Sequence, residues 1–237
     1  IRQFNLGSTG TIQQALLQKQ VDCYPEYTGT GYMIILKQHK KLTAKRLFQA
    51  VKKSYQQQFH LHWLAPLGFD NSAELAVTRS LAKKYHLTTL SDLARLSPQL
   101  TIGAPQEFLL RQDALPGLKR YYPLHFKKIV ALQPDLMYSA IRNHEVDVIE
   151  AFTTDPRIQQ YQLTLLQDNK HFYPSYQAAI VLREAIIKQH PSLVSILSKL
   201  SGKLSNQTMR HLNSQVTLEH HSPRWVAQQF LTQQGLI

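Results

Sequence analysis

A chain of 237 residues with a hydrophobic fraction of 43% can bury a sizeable core, and its length suits either one large domain or two lobes of about 100 residues each. The formal net charge of +12 leaves nucleic acid, an anionic membrane surface and acidic partners open in principle. However, the basic residues fall as pairs (Lys40-Lys41, Lys52-Lys53, Lys83-Lys84, Lys127-Lys128) on what read as exposed helix faces, without a basic run interleaved with aromatics, which argues against a nucleic-acid reader. No run of 18 apolar residues exists to span a membrane, and Ile1-Arg-Gln-Phe4 lacks the charged start and apolar middle of a signal peptide.

In chain order, helix and strand signals alternate. A helix from about Thr11 to Lys19 leads into a strand beginning at Asp22. The single Cys23 has no thiol partner for a disulfide or a zinc site and reads as a small buried apolar residue. A second helix from Thr43 to Gln58, with Leu47, Ala50, Val51 and Tyr55 on one face, leads to an apolar strand at Leu61–Leu67. After Phe69-Asp-Asn-Ser72 come a helix capped by Ser72 and a shorter one capped by Ser91 with Asp92 in its first turn. Leu100–Gly103 reads as a strand, Asp113–Tyr121 as a helix with Pro116 in its first turn, Lys128–Leu132 and the stretch near Gln162–Leu166 as strands. From Glu184 the pattern is mainly helical, with start signals at Pro191-Ser, Ser205-Asn-Gln and Ser222-Pro. Such a tail has no strands of its own and is expected to pack on the first lobe, so the chain crosses between lobes near Gly68–Asn71 and again near Tyr173–Gln177. The class is α/β.

One segment occurs twice. Val21–Thr30 reappears without a gap 125 residues downstream as Val146–Asp155, placing Asp22 on Asp147, Tyr27 on Phe152 and Thr28 on Thr153. The helix ahead of it repeats as well, Ala15–Gln20 over Ala140–Glu145. Ligands of open α/β sheets gather at the carboxyl ends of strands, where Tyr27 and Phe152 are expected to stand, one ring from each lobe.

These residues resemble the substrate-binding proteins of bacterial ABC importers for osmoprotectants, the glycine betaine, choline and carnitine group. The resemblance rests on Tyr24-Pro-Glu-Tyr-Thr-Gly-Thr30, Pro66-Leu-Gly-Phe-Asp-Asn71, Glu107-Phe-Leu-Leu-Arg-Gln-Asp113 with Leu115-Pro-Gly-Leu118, Phe152-Thr-Thr-Asp155, His171-Phe-Tyr-Pro-Ser-Tyr176, and Leu212-Asn-Ser-Gln-Val216 ahead of Ser222-Pro. It implies a type II periplasmic-binding-protein fold: lobe one from 1–70 and 177–237, lobe two from 71–176, joined by a two-strand hinge. It also implies an extracytoplasmic protein, monomeric, that hands a quaternary-ammonium ligand to a membrane permease driven by a separate ATPase, with no cofactor and no chemistry on the ligand. Members of that group begin further upstream, so lobe one reads as incomplete, and Ala73 stands where those binding quaternary ammonium usually carry a tyrosine.

A quaternary ammonium has no N–H to donate and spreads its charge over methyl groups, so ring faces recognise it. The expected rings are Tyr27, Phe152 and Tyr176, with Tyr24, Tyr32 and Tyr173 assigned to packing. Arg111 presents a planar fork to a ligand carboxylate, ahead of a helix start at Asp113, or else pairs with Asp113 or Glu107. Thr30 and Asn71 are expected to orient the ligand, although Asn71 equally suits a helix cap, and Asp155 reads as a cap or bridge outside the site. No nucleophile–base set or phosphate loop appears. His60-Leu-His62 and His220-His221 lack a third ligand, so no metal is expected. The rival reading is a ligand-sensing receptor module of the same fold.

Overall fold

The computed structural model describes residues 2–3, 6–111 and 114–237. The strands are β1 (Cys23–Tyr27), β2 (Leu61–Trp63), β3 (Ala73–Thr78), β4 (Thr101–Ala104), β5 (Lys128–Ala131), β6 (Val148–Phe152), β7 (Leu163–Leu166) and β8 (Ala178–Arg183). They form two sheets in two compact units, the first from 1–71, 174–209 and 227–237, the second from 72–173 and 210–226. The helix-rich tail thus divides: residues 210–226 group with the second unit, where the Arg210 guanidinium donates to the Thr153 carbonyl at 2.6 Å and the Asn213 amide to that of Thr154 at 3.0 Å.

In the first unit the sheet order is β1-β8-β2, all antiparallel. The helix Ala44–Phe59, capped by the Thr43 hydroxyl, lays Leu47, Val51 and Tyr55 onto it, where they meet Trp63 and Val181 in one buried cluster. Its interior periodicity made it legible. Pro66 and a left-handed Gly68 end the expected strand Leu61–Leu67 at Trp63, although the Leu64 and Leu67 amides still bond across to Ile180 and Ala178. His60 is a left-handed helix cap rather than a strand residue, so the His60-Leu-His62 pair does not share a strand face.

The second unit holds a mixed sheet in the order β5-β4-β6-β3-β7. The helix expected after Ser72 is instead β3, and the following helix, Arg79–Tyr85, is capped by Thr78. β3 lies between β6 and β7, with Leu75 and Val77 in one buried cluster and Ala76 in the other. A strand covered on both faces reads as a continuous apolar run, so short periodicity cannot separate it from a helix. The next helix, Leu90–Leu96, is capped by Thr89 rather than Ser91: the Thr89 hydroxyl accepts from the Asp92 amide and the Asp92 carboxylate returns to Thr89. The expected helix start at Asp113 lies outside the described residues; the helix itself runs Leu115–Tyr121.

The internal repeat extends to individual hydrogen bonds. The helices Thr9–Leu17 and Pro134–Arg142 both end through a left-handed residue, Lys19 and His144, and in both the amide that follows bonds to the alanine carbonyl of the last turn, Gln20 to Ala15 and Glu145 to Ala140, each at 2.9 Å. Each then enters a five-residue strand, β1 or β6, that ends on its aromatic. Across the antiparallel partner strand, Tyr27 faces Ala178 and Phe152 faces Ala73.

Candidate ligand-binding site

In the first unit, β1 shows the burial alternation of a strand: Tyr24 and Glu26 point into the core, Cys23 and Pro25 outward. Cys23 is therefore exposed, not the buried residue its type suggested, because the strand period turns Tyr24 and Glu26 inward and Cys23 to the opposite face. Tyr24 and Tyr32 are core residues, as expected. Tyr27, at the strand's carboxyl end, stays half-buried and packs edge-on against Phe69 with centroids 6.4 Å apart. Its hydroxyl accepts a hydrogen bond from the Asn71 amide at 3.4 Å, and burial pushes the phenol's pKa up. No helix follows Asn71, which removes the capping alternative for it.

Tyr176 sits against the same strand end. Its amide donates to Asp70 at 2.8 Å, its carbonyl accepts from the Asn71 amide at 3.1 Å, and its ring lies over Gly29, where a Cβ would come within 2.7 Å of two ring carbons. Asp70 also takes the Ser175 hydroxyl at 2.6 Å and is itself held by Asn206, which accepts from the Asp70 amide at 2.8 Å. Thr30 ends the short helix Thr28–Thr30, half-buried, its hydroxyl without a hydrogen bond among the described residues. Tyr27, Thr30, Asn71 and Tyr176 are thus gathered around one strand end of the first unit.

Sequence reading missed the residue that fixes this arrangement. Fully buried Thr28 donates its hydroxyl to the Ser175 carbonyl at 2.8 Å and accepts from the Gln177 amide at 3.1 Å, clipping the segment that carries Tyr176 to the end of β1. Its counterpart Thr153 does the same in the second unit, accepting from the Ser72 amide at 3.3 Å while its own amide bonds to the Ser72 carbonyl at 3.1 Å. The signal was present in the repeat, which aligned the two threonines. A Thr28→Val variant keeps the shape but leaves the part-buried Ser175 carbonyl and Gln177 amide without this partner, so it is expected to lose about 1 kcal/mol of stability in urea titrations.

The second unit carries the other two expected residues. Phe152 ends β6 with 44% of its surface exposed, an unusual position for a phenylalanine beside a buried strand. Arg111 follows the short helix Gln106–Leu110, and its guanidinium meets Glu107 at 2.8 Å, both side chains largely exposed. Its alternative partner Asp113 lies outside the described residues. Asp155 takes the role assigned to it: its carboxylate accepts from the Arg157 amide at 2.9 Å, from the Arg157 guanidinium and from the Tyr138 hydroxyl, which hold its pKa below the usual carboxylate range against its burial.

Two α/β units, each with an aromatic-ended strand held by a matched threonine, have the type II periplasmic-binding-protein fold of the chain's structural neighbours. The chain belongs to the family described as the substrate binding domain of ABC-type glycine betaine transport systems, whose model matches residues 1–233. It is 40% identical to the ergothioneine transport permease/ergothioneine binding protein EgtU of Helicobacter pylori strain G27 over 97% of the chain and 41% of that protein. It is also 37% identical to the carnitine transport binding protein OpuCC of Listeria monocytogenes over 96% of the chain and 74% of that protein. The chain thus spans about two fifths of the length of one relative and about three quarters of the other. A crystal structure described as a glycine betaine/carnitine/choline ABC transporter superposes with a TM-score of 0.91 at 33% identity, over 98% of this chain and 86% of that one. Among the described residues no helix is long and apolar enough to cross a membrane.

Proposed function

We propose that this chain captures a quaternary-ammonium zwitterion of the betaine, carnitine or ergothioneine kind outside the cytoplasm and, as a monomer, delivers it to an ABC permease powered by a separate ATPase. The relatives' names support the ligand class. The observation that carries the reading is the repeated strand end: Tyr27 with Tyr176 beside it in one unit and exposed Phe152 in the other. Each ring within about 6 Å of the methylated cation contributes roughly 0.5–2 kcal/mol. Arg111 takes the ligand's carboxylate. Its pairing with Glu107 is an exposed i,i+4 bridge of the kind worth about 0.3–0.5 kcal/mol, so exchanging it for a bidentate ligand contact is favourable. Thr30 and Asn71 orient the bound molecule.

Calorimetry tests this with glycine betaine, carnitine, ergothioneine and choline. Tyr27→Ala, Tyr176→Ala and Phe152→Ala are each expected to weaken all four ligands by about 2- to 30-fold. Arg111→Ala is expected to weaken the three zwitterions by about 10-fold or more and leave choline, which has no carboxylate, unchanged. Affinities unmoved by every one of these changes would remove the site from these residues.

A further inference from the structure

Glu150 lies two residues before Phe152 on the same face of β6, only 8% exposed. Its cross-strand neighbour on β3 is Leu75, and the β4 residues registered beside this part of β6, Ile102 and Gly103, are uncharged. Among the described residues the charged groups acting on it come from the helix Gln106–Leu110 and the residue after it: Glu107, which repels it, and Arg111, which attracts it. Those two are paired with one another at 2.8 Å. Among the described residues the Glu150 carboxylate receives no hydrogen bond. Its oxygens are not sealed in the core, since they are not among the fully buried side-chain atoms without a partner, so a donor group of a ligand can approach them from solvent. Opposite Phe152 across the strand pair stands Ala73, whose side chain is a single methyl.

We propose that Glu150 is a specificity-determining residue of the second unit, accepting a hydrogen bond from an N–H or O–H group that the preferred ligand carries in addition to its quaternary ammonium. This rests on the reading of the Phe152 strand end as the ligand-facing one. With Glu107 and Glu150 against a single Arg111, the cluster holds one more potential negative charge than positive, so a donor group on the ligand is favoured there over a second acceptor. A ligand with a heteroaromatic N–H carries such a donor. A simple trimethylated glycine carries none.

Burial, then repulsion from Glu107, opposed by Arg111, pushes the Glu150 pKa up to about 7, so an accepted hydrogen bond that favours the ionised carboxylate expels a proton on binding.

The test uses glycine betaine, which has no donor, and ergothioneine, whose ring carries N–H groups. Isothermal titration at pH 7 in two buffers of different ionisation enthalpy is expected to show release of a fraction of a proton with ergothioneine and none with glycine betaine. Glu150→Gln is expected to abolish that release and to weaken ergothioneine about 10-fold or more while leaving glycine betaine within about 2-fold, the latter serving as the folding control. Equal changes for both ligands, or unaltered ergothioneine binding in the variant, overturn the proposal. Phe152→Ala separates this from the underlying reading. If it weakens both ligands while Glu150→Gln alters neither, the site stands and the selectivity role falls; if it alters neither while Glu150→Gln still discriminates, Glu150 acts in a site that Phe152 does not line.

Discussion

Gly29→Ala is expected to lower glycine betaine affinity about as far as Tyr176→Ala does, although it adds only a methyl group. A Cβ built at Gly29 lies 2.7 Å from both Cδ1 and Cε1 of Tyr176 and 3.0 Å from the Ser175 carbonyl oxygen. The backbone there is ordinary helix, so the constraint is space rather than dihedral freedom. The ring cannot yield cheaply. The amide of Tyr176 is fixed to Asp70, its carbonyl to Asn71, and the preceding carbonyl to the buried Thr28 hydroxyl. Overpacking at such a point typically costs 1–3 kcal/mol, here shared between lost stability and a displaced ring. The double variant Gly29→Ala/Tyr176→Ala separates the two: in binding, Gly29→Ala should add almost nothing once the ring is gone, a strong non-additivity. Gly10→Ala is the control, since its Cβ would meet only the Ser8 hydroxyl at 3.9 Å. An unaltered affinity in Gly29→Ala would show that the Tyr176 ring is not a wall of the ligand site.

The second large effect concerns pH. The Glu150 carboxyl is held near 7 in the folded unit against an ordinary value of 4.5, because burial disfavours its charge and Glu107 adds repulsion. The folded state therefore prefers the protonated form. Its contribution to stability is complete below about pH 4.5 and is lost as the pH rises through about 7, amounting to about 3 kcal/mol over that span. Glu26, buried in the first unit, is shifted the same way, with its backbone bond from Tyr27 and its bond from Tyr24 opposing the burial. Asp92, lowered to about 2 chiefly by the Thr89 hydroxyl, and Asp155 act in the opposite sense and at more acid pH, so they do not overlap the window. In urea unfolding at pH 5, 6, 7 and 8, Glu150→Gln is expected to match the wild type at the acid end and to exceed it increasingly toward pH 8. Parallel curves for the two proteins would mean that Glu150 ionises without penalty. A carboxylate that weakens the ligand-free protein at neutral pH is the pattern of a residue kept for binding rather than for folding.

Much of this was legible from residue order because it depends on local chemistry. The spacing of Leu47, Val51 and Tyr55 dictated a helix face, and the repeated segment dictated two strands ending in rings, since a side-chain period and a helix cap are properties of a few neighbouring residues. The family resemblance named the candidate ring and hydrogen-bonding positions. What failed were segments whose state is set by neighbours distant in sequence. β3 became a strand because β6 and β7 flank it, and Cys23 was exposed because the helix Ala44–Phe59 covers the opposite face of β1, where Tyr24 packs.

The amino-acid sequence by itself thus determined the α/β class, the pair of equivalent strand ends and the aromatic residues that terminate them. Only the tertiary structure decided which side chains hold those ends in place. Thr28 meets Ser175 and Gln177 across about 150 residues of chain, Asp70 meets Tyr176 and Asn206, and Glu150 is brought into the influence of Glu107 and Arg111. Hydrogen bonds and charge interactions act only over a few ångströms, and proximity of that kind between distant residues is created by folding.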